Sequence, residues 1–183
     1  MFVTTNHRGG IGNVLFKLAA VISLAKDNNV DYVFPNQFLR PQDPDFTKYS
    51  SNILRNIEFI PNLQESYRVW AEPTFHHTEI PYDGDFNILL DGHFQSEKYF
   101  INHQDEILNM FSIPLDLKEH IMTNIPEINN YCSIHVRRGD YLNHPKTHPQ
   151  QPMEYYQQAV EKIGQDKHYL IFNNVSYFEA KLN

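Results

Sequence analysis

Residues 1 to 34 constrain the fold most, because they follow the pattern of a strand, a glycine loop, a helix and a second strand. The sequence predicts Asn13 as the N-cap of the helix and Asp27–Asn29 as its end. A strand-helix-strand unit of this length predicts a parallel sheet with a right-handed crossover. The helix has one apolar face, formed by residues at helical spacing: Leu15, Leu18, Ala19, Ile22 and Ala25.

The remaining chain also alternates between predicted strands and helices. The sequence therefore predicts an α/β fold, with an N-terminal Rossmann-like lobe over residues 1–125 and the start of a second Rossmann-like lobe over residues 126–183. The segments that carry this prediction are strands at 67–70, 87–92, 131–136 and 168–172, and helices at 97–111, 117–124 and 152–163.

Composition excludes several classes of protein. A formal net charge of -7 argues against general nucleic-acid binding, which needs an excess of Lys and Arg. Cys132 is the single cysteine, so no intramolecular disulfide is expected, and the residue is predicted to lie in the core. No apolar run is long enough for a membrane-spanning helix, and no signal peptide is expected. These features predict a cytoplasmic location, with membrane association only through a substrate.

The segment from His135 to Asp140 is the strongest candidate for chemistry. It ends a predicted strand, and the alternation places His135 and Arg137 on the same side. Ligands of open α/β sheets bind at the carboxyl ends of strands, and the planar guanidinium of Arg137 suits a diphosphate. Asp140 could orient a neighbouring side chain or accept a proton from a hydroxyl. The alternative is a surface Arg137–Arg138 pair followed by a turn at Gly139–Asp140.

Three segments resemble the alpha-1,2-fucosyltransferases of glycosyltransferase family 11. Ser133–Tyr141 resembles the family's His-x-Arg-x-Gly-Asp signature. Gly9–Phe16 resembles its Gly-Gly-Leu-Gly-Asn-Gln-Leu-Phe block, and Gly92–Phe100 its Gly-Tyr-Phe-Gln-Ser-Glu-Lys-Tyr-Phe block. The three segments also stand in the family's order. The chain departs from the pattern at Val14 and Lys17, where the family usually has glutamine.

The resemblance implies a two-lobed GT-B-type glycosyltransferase with its active site between the lobes. It implies inverting transfer of L-fucose from GDP-fucose to a galactose-containing glycan, in alpha-1,2 linkage, without a cofactor or required metal. Arg137 and Asp140 would be catalytic, and Gln95 and Glu97 would lie on the acceptor side. The implied donor-binding residues are His135, Arg137, Arg138, Asp140, Gly10, Gly12, Asn13, Asn173 and Asn174.

Two other functions remain open from the sequence. One is a truncated, catalytically inactive domain that binds nucleotide weakly or acts as an interaction module, since few residues follow Tyr131 for a nucleotide-binding lobe. The other is a metal-dependent transferase that uses Asp83 and Asp85. Aspartates are common in turns, so Asp83 with Asp85, and also Asp43 with Asp45, can be explained without a metal. The histidines at metal-like spacing are predicted to be solvated loop residues: His76, His77, His144 and His148. No general base is assigned, although Asp140 and Glu97 are candidates.

Overall fold

The computed structural model describes residues 1–36, 49–137, 139–143, 145–146, 148–164 and 166–173. The chain forms two compact units, Met1–Leu115 and Asp116–Asn183. Both combine parallel strands with helices, as expected for Rossmann-like lobes. The predicted lobe boundary at residue 125 stays a prediction.

The strands and helices alternate along most of the chain. The strands are β1 (Phe2–Thr5), β2 (Asp31–Tyr32), β3 (Phe34–Pro35), β4 (Phe59–Ile60), β5 (Arg68–Ala71), β6 (Ile88–Asp91), β7 (Tyr131–Val136) and β8 (His168–Asn173). The α-helices are α1 (Ile11–Asp27), α2 (Gln104–Met110), α3 (Leu115–Asn124) and α4 (Met153–Ile163). Short 3-10 turns occur at Glu97–Tyr99, Ile101–His103, Ile128–Asn130 and Asp140–Asn143.

The sheet of the N-terminal unit has the strand order β2-β1-β6-β5, and all of its pairs are parallel. β1 lies inside the sheet and is buried along its whole length. The apolar face of α1 contributes Val14, Leu18 and Ile22 to the core against this sheet. The predicted parallel strand-helix-strand unit is therefore confirmed. The predicted second strand is divided, because β2 pairs with β1 whereas β3 pairs with β4.

Two local predictions are wrong. Gly10, with an extended backbone, is the N-cap of α1, whereas Asn13 lies inside the helix and uses its side chain elsewhere. The predicted single helix over 97–111 is interrupted, because Phe100 has a non-helical backbone (φ -140°) while its ring is buried. Burial of this ring outweighs the helical pattern on either side.

In the second unit, β7 and β8 form a parallel pair, and α4 lies between them in sequence. Val136 is buried, whereas Cys132 is only half-buried, so the expectation of a core cysteine is wrong. Pro152, the first residue of the helix predicted over 152–163, is the N-cap of α4. Across the residues that the structure describes, no helix has the length and apolar character needed to cross a membrane.

Candidate functional site

The glycine loop joins β1 to α1. Gly9 has a positive φ of 102°, which favours glycine, and a Cβ there would lie 3.0 Å from the Asn13 Nδ2 atom, so that side chain would have to shift. A Cβ at Gly10 or Gly12 would meet no atom within 4 Å. Within residues 1–36, no side chain caps α1, and its first turn holds no acidic residue. The first N–H groups of this helix are therefore suited to an anion.

A buried lysine stabilises this loop through hydrogen bonds. The Lys17 Nζ donates to the Asn6 Oδ1 atom at 2.8 Å and to the Arg8 carbonyl oxygen at 3.1 Å. The Asn6 Nδ2 in turn donates to the Asp91 Oδ1 atom at 2.6 Å. This chain of hydrogen bonds links the end of β1, the glycine loop and the end of β6. The sequence signal was available, because Lys17 lies within the apolar stripe of α1.

His7, in the same connection, is fully buried. Its ring meets those of Phe34 and Phe59 edge-on, and neither ring nitrogen has a hydrogen-bond partner in the part of the chain that the structure describes. Burial and the positive charge of Lys17 lower the pKa of His7 from 6.5 to about 4. The Pro35 backbone acts in the opposite direction, with a smaller effect. His7 is therefore neutral at pH 7.

A side-chain hydrogen bond joins the second family-like segment to the first, and the rings of Phe16 and Phe100 lie 6.1 Å apart. The Gln95 Nε2 donates to the Asn13 Oδ1 atom at 2.7 Å, so two of the predicted site residues lie together. Ser96 caps the following 3-10 turn, and Glu97 is an exposed residue in its first turn. Phe94, Tyr99 and Phe100 are buried and belong to the core.

A glutamate that the sequence did not single out fixes this segment. The Glu72 Oε2 atom accepts hydrogen bonds from the backbone N–H groups of His93 (2.7 Å) and Phe94 (3.0 Å). Its Oε1 atom accepts one from the Tyr99 hydroxyl at 3.1 Å. Burial, with the Glu72 carboxylate, raises the pKa of Tyr99 and keeps its hydroxyl protonated. A Cβ at Gly92 would lie 2.5 Å from the Glu72 Cβ, so glycine permits this approach.

The carboxyl end of β7 carries the third segment. His135 and Arg137 are exposed, and Val136 between them is buried. The Arg137 guanidinium carbon lies 4.4 Å from the centroid of the Tyr141 ring. That ring stacks on His148, with centroids 4.3 Å apart and planes 14° from parallel. Tyr141 therefore restricts where the Arg137 fork can point.

A cavity of about 240 Å³ adjoins Arg137, between the end of β7 and the start of α4. Glu154 in the first turn of α4 opposes the partial positive charge of that helix end. The guanidinium is therefore the positive charge that this cavity offers to an anion. Small-molecule sites usually measure roughly 300 Å³ or more, so the cavity suits a diphosphate better than a whole sugar nucleotide. The cavity is lined by Val136, Arg137, Gln150, Gln151, Pro152, Met153 and Tyr156.

The other predicted donor residues are described only in part. β7 and β8 pair in register, with Val136 opposite Asn173, so both strands end at one edge. Asn173 is placed there by its backbone, and the backbone of Asp140 opens the 3-10 turn, while both side chains lie outside the description. Arg138 and Asn174 lie outside the described residues.

The candidate metal pairs form turns and ring contacts where the structure describes them. The Asp83 Oδ1 atom accepts from the Asp85 backbone N–H at 3.2 Å, around Gly84 with φ 85°, which is a turn. The His77 ring lies 4.6 Å from the Tyr99 ring, with the two planes tilted by 52°. Among the described residues, no three His, Cys, Asp or Glu side chains group closely enough to hold a metal ion. Asp43, Asp45 and His144 lie outside those residues.

Comparison with known proteins gives partial relatives. The chain is 26% identical over 148 residues to galactoside alpha-(1,2)-fucosyltransferase 2 of Oryctolagus cuniculus, which is 76% of this chain and 40% of that protein. It is 39% identical over 83 residues to the O-antigen biosynthesis glycosyltransferase WbnK of Escherichia coli (40% and 28%). It is 30% identical over 93 residues to an alpha-1,2-colitosyltransferase of Escherichia coli (48% and 30%).

The matched segments thus span 28% to 40% of the length of these relatives. No solved structure matches the chain significantly, so the GT-B arrangement stays a prediction. The model of the family described as glycosyl transferase family 11 matches residues 2–176, which is nearly the whole chain. That match includes all three of the segments described above. The chain therefore belongs to glycosyl transferase family 11.

Proposed function

We propose that this chain carries out, or forms part of a protein that carries out, fucosyl transfer from GDP-fucose to a galactose-containing glycan. The transfer forms an alpha-1,2 linkage with inversion and requires no metal. The proposal rests mainly on the position of Arg137, whose guanidinium lies beside a diphosphate-sized cavity at the carboxyl end of β7. Family membership and a relative named as a galactoside alpha-(1,2)-fucosyltransferase support the same function.

In this reaction the acceptor hydroxyl oxygen bonds to the anomeric carbon of fucose as the bond from that carbon to GDP breaks, and the hydroxyl proton passes to a general base, for which Asp140 and Glu97 are the candidates. Negative charge then grows on the departing diphosphate, and a fixed cation lowers the energy of the transition state. Arg137, whose guanidinium lies against the Tyr141 ring, supplies that charge. We further propose that Gly10, Gly12 and Asn13 contact the donor, supported by the open space at the two glycines and the uncapped start of α1.

Titration calorimetry with GDP tests the donor site in the full 183-residue chain. Arg137→Ala is expected to weaken GDP binding about 10- to 100-fold, because a charge-assisted hydrogen bond contributes about 1.5 to 3 kcal/mol. The GDP affinity of Arg137→Lys should lie between those of the wild type and Arg137→Ala, because lysine keeps the positive charge but lacks the planar guanidinium. Arg68→Ala is the matched control, because Arg68 is another exposed arginine over an aromatic ring, Phe86 at 4.1 Å.

Transfer of radiolabelled fucose to a galactoside is then measured for the same variants. The function is supported if the wild type transfers fucose and Arg137→Ala loses transfer while Arg68→Ala retains it. A wild type that binds GDP without transferring fucose would favour the nucleotide-binding module. A colitosyl donor used in preference to GDP-fucose would correct the donor sugar. No GDP binding by the wild type, or equal binding by Arg137→Ala, would overturn the donor assignment.

A further inference from the structure

The loop after β5 exposes one large aromatic ring. Phe75 has 76% of its surface exposed, the highest value among the large apolar side chains of the described residues. Its ring lies 5.5 Å from that of His93, at an angle of 33° between planes. His93 is also exposed and follows β6, so the pair lies at the carboxyl edge of the N-terminal sheet. An exposed aromatic pair beside polar groups is a candidate binding surface.

Hydrogen bonds hold the segment that carries Phe75 at both ends. Glu72, on one side, accepts from the Tyr99 hydroxyl at 3.1 Å. Thr78, on the other side, donates its backbone N–H to the same Tyr99 oxygen at 3.1 Å. The exposure of Phe75 is thus imposed by an anchored loop. An apolar ring fixed in water in this way is available to a ligand at little cost in conformational entropy.

The turn that presents His93 is strained. Phe94 has φ 52°, which is rare for an aromatic residue, although its ring is fully buried. The Glu72 carboxylate offsets this strain by binding the N–H groups of His93 and Phe94. The result is an exposed His93 and an exposed Gln95 on either side of a buried anchor. Strain of this kind clusters at ligand sites, and the groups that this turn displays are therefore candidates for ligand contact.

A carboxylate and an amide complete this surface. Asp91 is exposed, and one of its oxygens accepts from Asn6, while the other has no hydrogen-bond partner among the described residues. Gln95 is held by Asn13. The same edge thus offers an apolar face together with hydrogen-bonding groups. That combination fits a galactosyl unit, because its axial 4-hydroxyl leaves an apolar C–H face on one side and hydroxyls around the rim.

We propose that Phe75 and His93 form the acceptor-sugar subsite, with the galactosyl ring stacked on Phe75 and its hydroxyls hydrogen-bonded by His93 and Asp91. The subsite rests on the proposed function, since that function names a galactoside as the acceptor. It adds a sugar-binding contact that lies outside the family-like segments, because Phe75 falls between them in the sequence.

Aromatic ¹H–¹³C NMR of the full chain tests the subsite. Methyl β-galactoside is added with and without saturating GDP, and methyl β-glucoside, which differs only at C4, is the control sugar. The Phe75 and His93 ring signals should shift in a saturable way with the galactoside and much less with the glucoside. Phe75→Ala is expected to weaken binding about five- to tenfold, and Phe75→Trp to restore it. Leu108→Ala, at a residue 55% exposed on α2, should leave the affinity unchanged.

The absence of a saturable shift in the wild type would overturn the subsite, and so would equal affinity in Phe75→Ala. Because binding is read without transfer, the two proposals can fail separately. Galactoside binding without GDP binding or fucose transfer would count against the proposed function and leave the subsite standing. If the chain binds GDP and transfers fucose, but Phe75→Ala leaves the acceptor KM unchanged, the proposed function would stand and the subsite would be contradicted.

Discussion

Acid should destabilise the N-terminal unit through His7, which is fully buried and has a pKa lowered to about 4. Above pH 6.5 the ring is neutral in the folded and the unfolded chain, so His7 adds no pH dependence there. Below that value the unfolded chain gains a proton that the folded chain excludes. The free energy of unfolding therefore falls between pH 6.5 and about 4 and levels off below that range.

The size of the effect follows from the two pKa values of 6.5 and about 4. The free energy of unfolding should be about 2 kcal/mol lower at pH 5 than at pH 7.5, since one pKa unit corresponds to about 1.4 kcal/mol. His7→Phe removes the titrating group and keeps an aromatic ring against Phe34 and Phe59. The comparison is the loss on acidification within each protein, so any change in baseline stability cancels.

Urea unfolding followed by tryptophan fluorescence measures this loss. Trp70 is the single tryptophan and packs on Phe94 in the same unit as His7, so it reports the relevant transition. The wild type should lose about 2 kcal/mol more than His7→Phe between pH 7.5 and pH 5. His76→Gln, which removes an exposed histidine from the same unit, should retain the wild-type loss. Equal losses in the wild type and His7→Phe would refute the assignment of the acid effect to His7.

Two further substitutions test the contacts around the N-terminal site. Lys17→Met removes the ammonium that donates to the Arg8 carbonyl oxygen and to Asn6 Oδ1, which keeps the Arg8 N–H at 3.4 Å, and it is expected to cost about 1 to 3 kcal/mol by urea unfolding. It should also shrink the acid effect, because the charge of Lys17 helps to lower the pKa of His7; an unchanged acid effect would contradict this. Glu72→Ala removes three accepted hydrogen bonds and should destabilise by about 2 to 3 kcal/mol, whereas Glu97→Ala, at an exposed glutamate, should stay within about 0.5 kcal/mol.

Local patterns predicted the parts of the fold that depend on neighbours in sequence. The apolar stripe of α1 and the β-rich run of β7 are both found at the expected places. The interruption at Phe100 was not predictable, because it depends on burial against the rest of the unit. The Gly10 cap was missed because Asn13, the better cap by residue type, is bound to Gln95, a residue distant in sequence.

The site was predictable to a similar extent. The resemblance identified the segments around Gly10, Gln95 and Arg137, but it did not identify the residues that hold these segments in position. Glu72 stands among prolines with no periodic signal, and its hydrogen bonds to residues 93 and 94 exist only after folding. Phe94 adopts a backbone that an aromatic residue disfavours, so propensity argued against the turn that the structure contains.

The parallel register explains why groups so distant in sequence act at one place. Thr5 lies opposite Leu90, and Ala71 lies opposite Asp91, so β1, β5 and β6 end together. Each connection that leaves these ends carries polar or exposed groups, because the backbone there can no longer continue the ladder. The first two family-like segments therefore lie at one edge of one sheet, where Gln95 is hydrogen-bonded to Asn13 and the Phe100 ring lies beside that of Phe16. Phe75 belongs to the same edge through β5, which gives a residue outside every motif a structural reason to take part in binding.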